Sequence, residues 1–279
     1  DRSSGASPDD YFSLYQPTRK ATITLTTDFG LSDHFVGVMK GAIRRIAPEA
    51  SIVDITHEMK TYDIAEAAFV VGETYRWWPA KTIHVVVVDP GVGTSRRPIL
   101  MEAAGQYFIA PDNGVLTVVA QREKAKVREI TSRKYLLEPV SRTFHGRDIF
   151  APCAAHVARG VRPAQFGKLI QDYLRLALGP PTRTGKRVWT GVILKVDHFG
   201  NMITNFGVDE FSAIKTRPFE MAVGMEKVRR LALHYAESEP GELALIEGSS
   251  GYLEIYANMA SAARRVGCSA GAPLELTIW

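Results

Sequence analysis

From residue 21 onward, short β-branched runs alternate with stretches of helical spacing. The segments "ATITLTTDFG", "SIVDIT" and "KTIHVVVVDPG" predict strands, and "HFVGVMKGAIRRIAP" and "IAEAAFVVGETYRWWP" predict helices that end at Pro48 and Pro79. The third strand is continuously apolar, which is typical of a strand covered on both faces. Strands that alternate with helices predict an α/β domain with a mostly parallel sheet and flanking helices.

The same domain extends through two further segments. "QYFIAPDNGVLTVVAQ" predicts a strand, a turn and a short helix, and "FHGRDIFAPCAAHVARG" predicts a loop that runs into a helix ended by Gly160. Residues 1–20 are polar and have no periodicity, so they predict an N-terminal tail. The predicted α/β domain therefore covers residues 21–175.

The pattern changes after a segment rich in Pro, Gly and basic residues. Residues 176–187, "LALGPPTRTGKR", predict an interdomain linker. Beyond it, "VWTGVILKVDHFGNMITNF", "PFEMAVG", "LALIEGSSGYLEIYAN" and "PLELTIW" predict short strands separated by Gly-rich turns. Residues 188–279 are therefore expected to form a smaller all-β, barrel-like domain.

Composition narrows the function classes. The 279 residues are 46% hydrophobic and 23% charged, as in an ordinary globular protein, and the net charge is only +4. The basic residues are scattered, which argues against a nucleic-acid partner, and no apolar run is long enough to cross a membrane. Cys153 and Cys268 lack metal-ligand spacing and fit a reducing compartment.

Two acids stand where predicted strands end. Asp28 follows the first strand and Asp89 the third, each with a glycine two residues later. Ligands gather at the carboxyl ends of strands in an open α/β sheet, so the pair could bind a ribose diol, bind a metal or exchange protons. Asp28 alone fits a turn or helix cap equally well, and Asp33 and Asp63 are expected to be helix caps.

Three other groups carry candidate chemistry. His145 stands at the start of a predicted helix, where a structural role is the commoner one. "DPGVGTSRR" lacks the spacing of a phosphate-binding loop, and "PDNG" fits a tight turn. "KVDHFGNMITN" places an acid, an aromatic ring and an amide, Asp197, Phe199 and Asn201, in one turn that suits a purine or ribose, although a plain β-turn explains it nearly as well.

Seven motifs in order give a more specific signal. "TTDFG", "DITHEM", "VVVVDPGVGTSRR", "APDNGVL", "FHGRDIFAP", "DHFGNMITN" and "GSSGYLEIYAN" resemble the S-adenosyl-L-methionine (SAM) hydrolases, the hydroxide adenosyltransferases related to the SAM-dependent fluorinase and chlorinase. The resemblance runs from about Thr22 to Trp279. It implies an N-terminal α/β domain, a barrel-like C-terminal domain, and a homotrimer with substrate sites between neighbouring subunits.

The resemblance also implies roles for particular residues. Asp89, Arg96 and His145 match the catalytic set of the hydrolase branch, Asp28 matches the acid that holds the ribose hydroxyls, and Tyr62 stands where relatives have an aromatic residue beside the sugar. The remaining expected substrate contacts, in the C-terminal domain, are Asp197, Phe199, Asn201, Ser250, Glu254 and Met259.

One departure from the halogenating relatives indicates the branch. They have a tyrosine in place of Asp89 and lack the histidine of "FHGRD". A carboxylate 4 Å from a halide would repel it by roughly 4 kcal/mol at an effective dielectric constant near 20. Water held by Arg96 meets no such barrier, so the sequence favours hydrolysis over halogenation.

The implied reaction is attack of a water-derived oxygen on C5′ of SAM, which releases methionine and leaves adenosine. A sulfonium is a good leaving group, so neither a metal nor a cofactor is expected. Our hypothesis is that Asp89 orients the reacting groups, Arg96 holds the oxygen and His145, whose reference pKa is about 6.5, takes or relays the proton.

Two other function classes remain open at this point. A nucleoside ribohydrolase also places strand-end acids around a ribose but uses a bound calcium ion, which needs a denser acidic cluster than Asp28 and Asp33. A non-catalytic SAM or adenosine sensor would have no use for Asp89, Arg96 and His145. Because SAM is an intracellular metabolite, the expected location is the cytoplasm.

Overall fold

The computed structural model describes residues 20–279, so the predicted tail lies outside the described residues except for Lys20. The chain divides into two compact units, the first ending at Leu176 and the second spanning Ala177–Trp279. None of the described helices is long and apolar enough to cross a membrane.

The first unit is an α/β structure. Within the described residues it contains the strands β1 (Thr22–Thr27), β2 (Ser51–Thr56), β3 (Ile83–Val87), β4 (Pro98–Ala103), β5 (Gln106–Pro111), β6 (Lys126–Glu129) and β7 (Leu169–Ile170). They form one sheet in the order β2-β1-β3-β5-β4-β6-β7. In that order, the first four strands (β2, β1, β3 and β5) are parallel to one another. Strands β4, β6 and β7 extend the sheet through antiparallel pairs. The α-helices are α1 (Phe35–Ile46), α2 (Ile64–Thr74), α3 (Thr117–Arg122) and α4 (Ala151–Ala158).

Strand β3 is buried on both faces, as its continuous apolar run predicts. Val85 and Val87 belong to one hydrophobic core, whereas Val86 and Val88 belong to a second core on the other face of the sheet. Side chains alternate between the two faces of a strand, so an unbroken valine run supplies both cores. The predicted α/β class with a parallel sheet centre is confirmed.

Of the two acids expected to cap helices, Asp63 does so and Asp33 does not. Asp63 caps α2, because its side chain accepts a hydrogen bond from the Glu66 backbone N–H at 3.0 Å. Asp33 is not a cap: the residue before α1 is His34, and no side chain caps that helix. The prediction for Asp33 is wrong because the helix begins one residue later than the apolar pattern indicated.

A π-helical turn, Gly146–Phe150, leads into α4. Pro152 lies in the first turn of α4 and has no N–H with which to reach the Asp148 carbonyl, four residues earlier. That carbonyl instead accepts a hydrogen bond from the Leu137 backbone N–H at 2.9 Å. The wide turn itself is closed by the Ala151 backbone N–H, which donates to the Gly146 carbonyl, and it begins directly after His145.

The second unit is almost entirely β-structure. Within the described residues it contains the strands β8 (Thr182–Arg183), β9 (Val188–Val196), β10 (Met202–Gly207), β11 (Phe219–Val223), β12 (Glu226–Val228), β13 (Leu231–Ala232), β14 (Leu243–Glu247), β15 (Tyr252–Ala257) and β16 (Pro273–Ile278), and the helix α5 (Ala262–Val266). Strand β8 lies inside the segment predicted to be a linker.

These strands form one curled sheet in the order β12-β11-β16-β9-β10-β15-β14-β13, with β8 paired to β9. Strand β12, at one edge, also contacts β14 near the other edge, so the sheet curls over its own core. Apolar side chains such as Met202, Phe206, Met221, Ile255 and Leu276 fill the inside. The barrel-like prediction is confirmed as a half-barrel.

Candidate active site

The strand-end acids lie at one edge of the first unit's sheet. Strands β1 and β3 are parallel neighbours, and their register pairs Thr27 with Val87. Asp28 and Asp89 follow those strand ends, so both carboxylates emerge at the same edge. The loop after β2 adds Tyr62, whose backbone N–H donates to Asp28 Oδ2 at 2.9 Å. Tyr62 has a φ of 66°, and its ring is largely exposed.

Asp89 and Arg96 form a buried ion pair. Arg96 Nε donates to both carboxylate oxygens at 3.0 and 2.9 Å, and Nη2 donates to Oδ2 at 2.5 Å. The side chains are only 4% and 8% exposed, so water screens this pair little. Arg96 also lies over the Phe150 ring, with its Cζ 5.2 Å from the ring centroid. The guanidinium is therefore held in one orientation.

His145 completes a contiguous triad. Its Nδ1 lies 2.6 Å from Arg96 Nη2, and an arginine can only donate, so Nδ1 accepts that hydrogen bond. Burial, followed by the charge of Arg96, lowers the pKa of His145, although the carboxylates of Asp89 and Asp148 oppose the shift. The ring is therefore neutral at neutral pH, with its hydrogen on Nε2.

The remaining donor of the guanidinium has no partner among the described residues. Nε and Nη2 of Arg96 are used by Asp89 and His145, whereas Nη1 is buried and makes no hydrogen bond. A buried N–H group without an acceptor costs free energy and is uncommon. The two N–H bonds of Nη1, beside the carboxylate of Asp89 and the neutral imidazole of His145, are suited to holding a small oxygen nucleophile.

Two polar residues that were expected only to form a turn hold this loop in place. Asn113 Nδ2 donates to the carbonyl of Val88, directly before Asp89, at 2.9 Å. The buried Asp112 accepts from Arg97 Nη2 at 2.7 Å, next to Arg96 in the chain. The turn prediction misses these contacts because Asn113 reaches from the end of β5 to the end of β3 and Asp112 reaches from the end of β5 to the start of β4. The position of "PDNG" at the end of a strand is the signal that could have revealed them.

In the second unit, Asp197 and Asn201 close one turn. The Asp197 carboxylate accepts from the Asn201 backbone N–H at 2.8 Å and from its side-chain amide at 2.9 Å. Gly200, inside the turn, has a φ of 88° and no room for a Cβ against Ser261, so glycine is required there. The turn displays Phe199, whose ring is 76% exposed.

Glu254 lies on β15 near this turn, and Ser250 lies in the turn between β14 and β15. Burial, followed by the charge of Asp197, raises the pKa of Glu254. The hydroxyl of Ser250 is buried and has no partner among the described residues. Ser250 precedes β15 and Met259 follows it, so the strand separates them. Met259 is 91% exposed and has a φ of 54°.

The structure thus groups the predicted residues unequally. Asp89, Arg96 and His145 are in direct contact, and Asp28 and Tyr62 are hydrogen-bonded at the same sheet edge. Asp197 and Asn201 are bonded to each other, whereas Ser250 and Met259 stand apart. Within residues 20–279, no three His, Cys, Asp or Glu side chains are grouped so that they could hold a metal ion.

Comparison with known proteins identifies the family. The model of the SAM hydroxide adenosyltransferase N-terminal domain matches residues 23–167, and the model of the C-terminal domain matches residues 191–275. The chain belongs to the SAM hydroxide adenosyltransferase family. The first match contains all the predicted site residues of the first unit, and the second contains all those of the second unit.

Individual relatives agree with this family. A protein of Salinispora tropica named (R)-S-adenosyl-L-methionine hydrolase is 35% identical over 260 residues, which are 91% of this chain and 97% of the relative. A fluorinase of an Actinoplanes species is 26% identical over 295 residues, 91% of this chain and 97% of the relative. The crystal structure of an uncharacterized conserved protein from Thermotoga maritima has a TM-score of 0.85 and 38% identity, and covers 91% of this chain and 99% of that one. The resemblance drawn from the motifs is confirmed.

Proposed function

We propose that the protein hydrolyses SAM to adenosine and L-methionine by in-line attack of a water-derived oxygen on C5′. Relatives named (R)-S-adenosyl-L-methionine hydrolase, with 33–35% identity over most of the chain, support this reaction. The observation that carries the proposal within this chain is the buried, unpartnered Nη1 of Arg96 beside Asp89 and His145. We take the (R) epimer at sulfur, which the relatives' names specify, as the substrate.

The bond changes balance without a cofactor. The oxygen of water forms a bond to C5′, the C5′–S bond breaks, and its electron pair neutralises the sulfonium to give the thioether of methionine. One proton leaves the attacking oxygen. Because the leaving group departs as a neutral thioether, we propose that neither a metal ion nor a cofactor takes part.

The Asp89–Arg96 pair suits the charge changes of this reaction. Positive charge on sulfur fades as the C5′–S bond breaks, so an unpaired carboxylate nearby would stabilise the bound substrate more than the transition state. Arg96 neutralises that carboxylate while Nη1 holds the attacking oxygen in line with the bond that breaks. Alignment of this kind can lower a barrier by about 7–11 kcal/mol.

His145 is the proposed proton acceptor. Protons on the attacking oxygen become strongly acidic as the C–O bond forms, and a neutral imidazole lies within the same hydrogen-bonded group. Its Nδ1 lone pair is bound to Arg96 Nη2, so this hydrogen bond must open before Nδ1 can take the proton. His145 therefore has two tasks in the proposal: it orients the guanidinium first and receives the proton afterwards.

Substrate contacts are proposed for both units. Asp28, which Tyr62 fixes through its backbone N–H, would accept hydrogen bonds from the ribose hydroxyls. The second unit would contribute Asp197, Phe199, Asn201, Ser250, Glu254 and Met259.

We further propose a homotrimer in which each site combines residues of neighbouring subunits. The resemblance to the family suggests this arrangement, and the large exposure of Tyr62, Phe199 and Met259, at 69%, 76% and 91%, supports it. A neighbouring subunit or the substrate would cover these apolar side chains. The proposed location is the cytoplasm, where SAM is made and used.

Product analysis tests the reaction. The purified protein is incubated separately with the (R) and (S) epimers of SAM in water enriched in a heavy oxygen isotope. The products are separated by chromatography and analysed by mass spectrometry. We expect adenosine labelled at its 5′ oxygen, unlabelled methionine, faster reaction of the (R) epimer, and no change when a chelator or a halide salt is added. Free adenine, an unlabelled nucleoside or a halogenated one would overturn the proposal.

Substitution of Arg96 by Lys tests the role of the guanidinium. Lysine keeps one positive charge near Asp89 but lacks the planar set of donors that reaches both His145 and the oxygen. We expect kcat to fall by about 100-fold or more, as for the loss of a donor to the reacting oxygen, while the equilibrium affinity for SAM changes little. An R96K enzyme with near-normal kcat would contradict the proposed role of Nη1.

A further inference from the structure

A chain of buried polar groups lies directly beneath the Asp28 loop. Thr27 is the last residue of β1 and is fully buried, and its hydroxyl accepts a hydrogen bond from the Phe29 backbone N–H at 3.2 Å. The same hydroxyl lies 2.9 Å from Nδ1 of His57, a residue that is only 3% exposed. The carbonyl of His57 accepts from the backbone N–H of Gly30 at 2.8 Å. Asp28 therefore sits in a loop that is fastened on both sides.

The direction of these hydrogen bonds can be worked out from the partners. The other ring nitrogen of His57, Nε2, lies 3.1 Å from Asp54 Oδ1, and Asp54 Oδ2 accepts from Lys40 Nζ at 2.6 Å. Partial burial alone would raise the pKa of Asp54, but its contacts with Lys40 and His57 more than reverse this, so the net shift is downward. Because the charged Asp54 lies 3.1 Å from Nε2, we place the ring hydrogen on Nε2, although Nε2 completes no hydrogen bond among the described residues; Nδ1 then accepts from the Thr27 hydroxyl.

The Thr27 hydroxyl then has a partner for each of its two hydrogen bonds. Thr27 donates its single hydroxyl hydrogen to His57 and uses an oxygen lone pair for the Phe29 N–H. The Thr27 side chain cannot rotate without breaking one of these bonds, because the His57 ring is buried and the Phe29 N–H belongs to the backbone. His57 lies in the motif "DITHEM", where residue type and spacing alone assign it no role.

We infer that Thr27, His57, Asp54 and Lys40 are positioning residues that set the orientation of the Asp28 carboxylate for the two hydroxyls of a ribose. This inference rests on the proposed function, in which Asp28 holds the sugar. Asp28 Oδ2 is already fixed by the Tyr62 N–H, so the fastened loop limits the remaining freedom of the carboxylate. A diol binds well only to an acceptor pair held in one orientation, since each misdirected hydrogen bond leaves a desolvated polar group.

The experiment compares two ligands that differ only in the diol. Adenosine has both ribose hydroxyls and 2′,3′-dideoxyadenosine has neither, and their affinities are measured by calorimetry with the full-length protein. Thr27→Val removes the hydroxyl at nearly constant volume, and Thr27→Ser keeps it. We expect T27V to weaken adenosine binding by about tenfold, the usual effect of one hydrogen bond, with dideoxyadenosine binding unchanged and T27S close to the unmodified protein.

The chain offers a closely matched control. Thr24 lies on the same strand, is equally buried, and also bonds through its hydroxyl to Nδ1 of a buried histidine, His84, at 2.7 Å. It lies three residues before the strand end and does not contact the loop. T24V is therefore expected to lower the melting temperature as T27V does and to leave the adenosine-to-dideoxyadenosine affinity ratio unchanged.

A second variant keeps the test decisive if T27V folds poorly. Asp54→Asn sits further from the ligand and removes the charge that orients His57, so we expect a smaller loss of adenosine affinity in the same direction. Equal losses for both ligands, or the same loss in T24V, would show a merely structural effect and overturn the inference. If SAM is not hydrolysed although the diol-dependent loss is found, the proposed reaction fails while the positioning role stands.

Discussion

Arg96 binds two polar side chains through its guanidinium. Asp89 accepts hydrogen bonds from Nε and Nη2, and His145 accepts a second hydrogen bond from Nη2. The family resemblance predicted this set, in which "VVVVDPGVGTSRR" contributes Asp89 and Arg96 and "FHGRD" contributes His145, whereas residue type alone favoured a structural role for His145. Which atom of the histidine meets the arginine depends on side-chain orientation, which motif spacing does not specify.

The proposed role of His145 as proton acceptor predicts how catalysis depends on pH. A proton acceptor must be neutral, and the pKa of His145 lies below its ordinary value of 6.5 because of burial and the charge of Arg96. We expect kcat to be constant above neutral pH and to fall as the pH drops through this lowered pKa. In His145→Gln, the side-chain oxygen can still accept from Arg96, but the amide cannot take up a proton. We therefore expect kcat to fall by about 100-fold or more and its pH profile to lose the decrease at acidic pH.

His145→Ala provides the comparison, because it removes both the acceptor for Arg96 and the proton acceptor. It should be slower than the Gln variant, with the same flat profile between pH 5 and pH 7 as measured by initial rates. A Gln variant that kept the full rate and the acidic limb would assign the proton to another group.

At the scale of elements, β3 combines an apolar run with one buried histidine. His84 bonds through its two ring nitrogens to Thr24 at 2.7 Å and to Gln106 at 3.0 Å, and it stacks on Phe108. Burial lowers the pKa of His84 to about 4. A polar residue in the centre of the sheet thus joins β1, β3 and β5 through side chains as well as through the backbone.

This burial predicts that stability depends on pH. The folded protein keeps His84 neutral, and the unfolded chain binds the proton near pH 6.5, so the free energy of unfolding should fall as the pH drops from 6.5 toward 4. The expected contribution of His84 between pH 7 and pH 5 is a loss of about 2 kcal/mol. In His84→Gln, which retains hydrogen-bonding atoms but cannot titrate, this part of the pH dependence should disappear.

Urea unfolding gives the free energy of unfolding of both proteins at pH 7 and at pH 5. The change between the two pH values is then compared between the unmodified protein and His84→Gln, so that the contributions of other titrating groups cancel. Equal pH dependence in the two proteins would mean that His84 is not kept neutral by the fold.

The elements that the sequence pattern missed share a cause. Strand β4 begins with Pro98, directly after the segment "DPGVGTSRR", where no strand was predicted, and β6 and β7 have only four and two residues. Their stability comes from pairing in the antiparallel half of the sheet rather than from a local apolar period. Strand β3 was predictable because burial on both faces leaves an apolar run in the sequence itself, and β1 was predictable because it is rich in β-branched residues.

At the scale of the whole molecule, the proposed trimer leads to a test by complementation. A first-unit variant, Asp89→Ala, and a second-unit variant, Asp197→Ala, should each be inactive. If each site combines the first unit of one subunit with the second unit of its neighbour, trimers reassembled from an equal mixture should contain intact sites. Random mixing predicts about a quarter of the sites, and hence about a quarter of the normal activity.

The control is a mixture without subunit exchange, in which the two proteins are combined directly before the assay. Activity is followed as adenosine formation per subunit, and the oligomeric state by light scattering. A monomer in solution, or a reassembled mixture as inactive as its parents, would contradict sites shared between subunits.

By itself, the sequence determined the α/β and all-β character of the two halves, the placement of Asp28 and Asp89 at strand ends, and the family. These are local properties, since they depend on apolar period, turn residues and motif spacing within a few residues of the chain. Only the tertiary structure decided which groups meet: that Nη2 of Arg96 binds Nδ1 of His145, that Asn113 holds the residue before Asp89, and that His57 lies under the Asp28 loop. Such contacts join residues 25 to 49 positions apart, and their geometry follows from strand order and register, which depend on pairing over long distances in the chain rather than on any single segment.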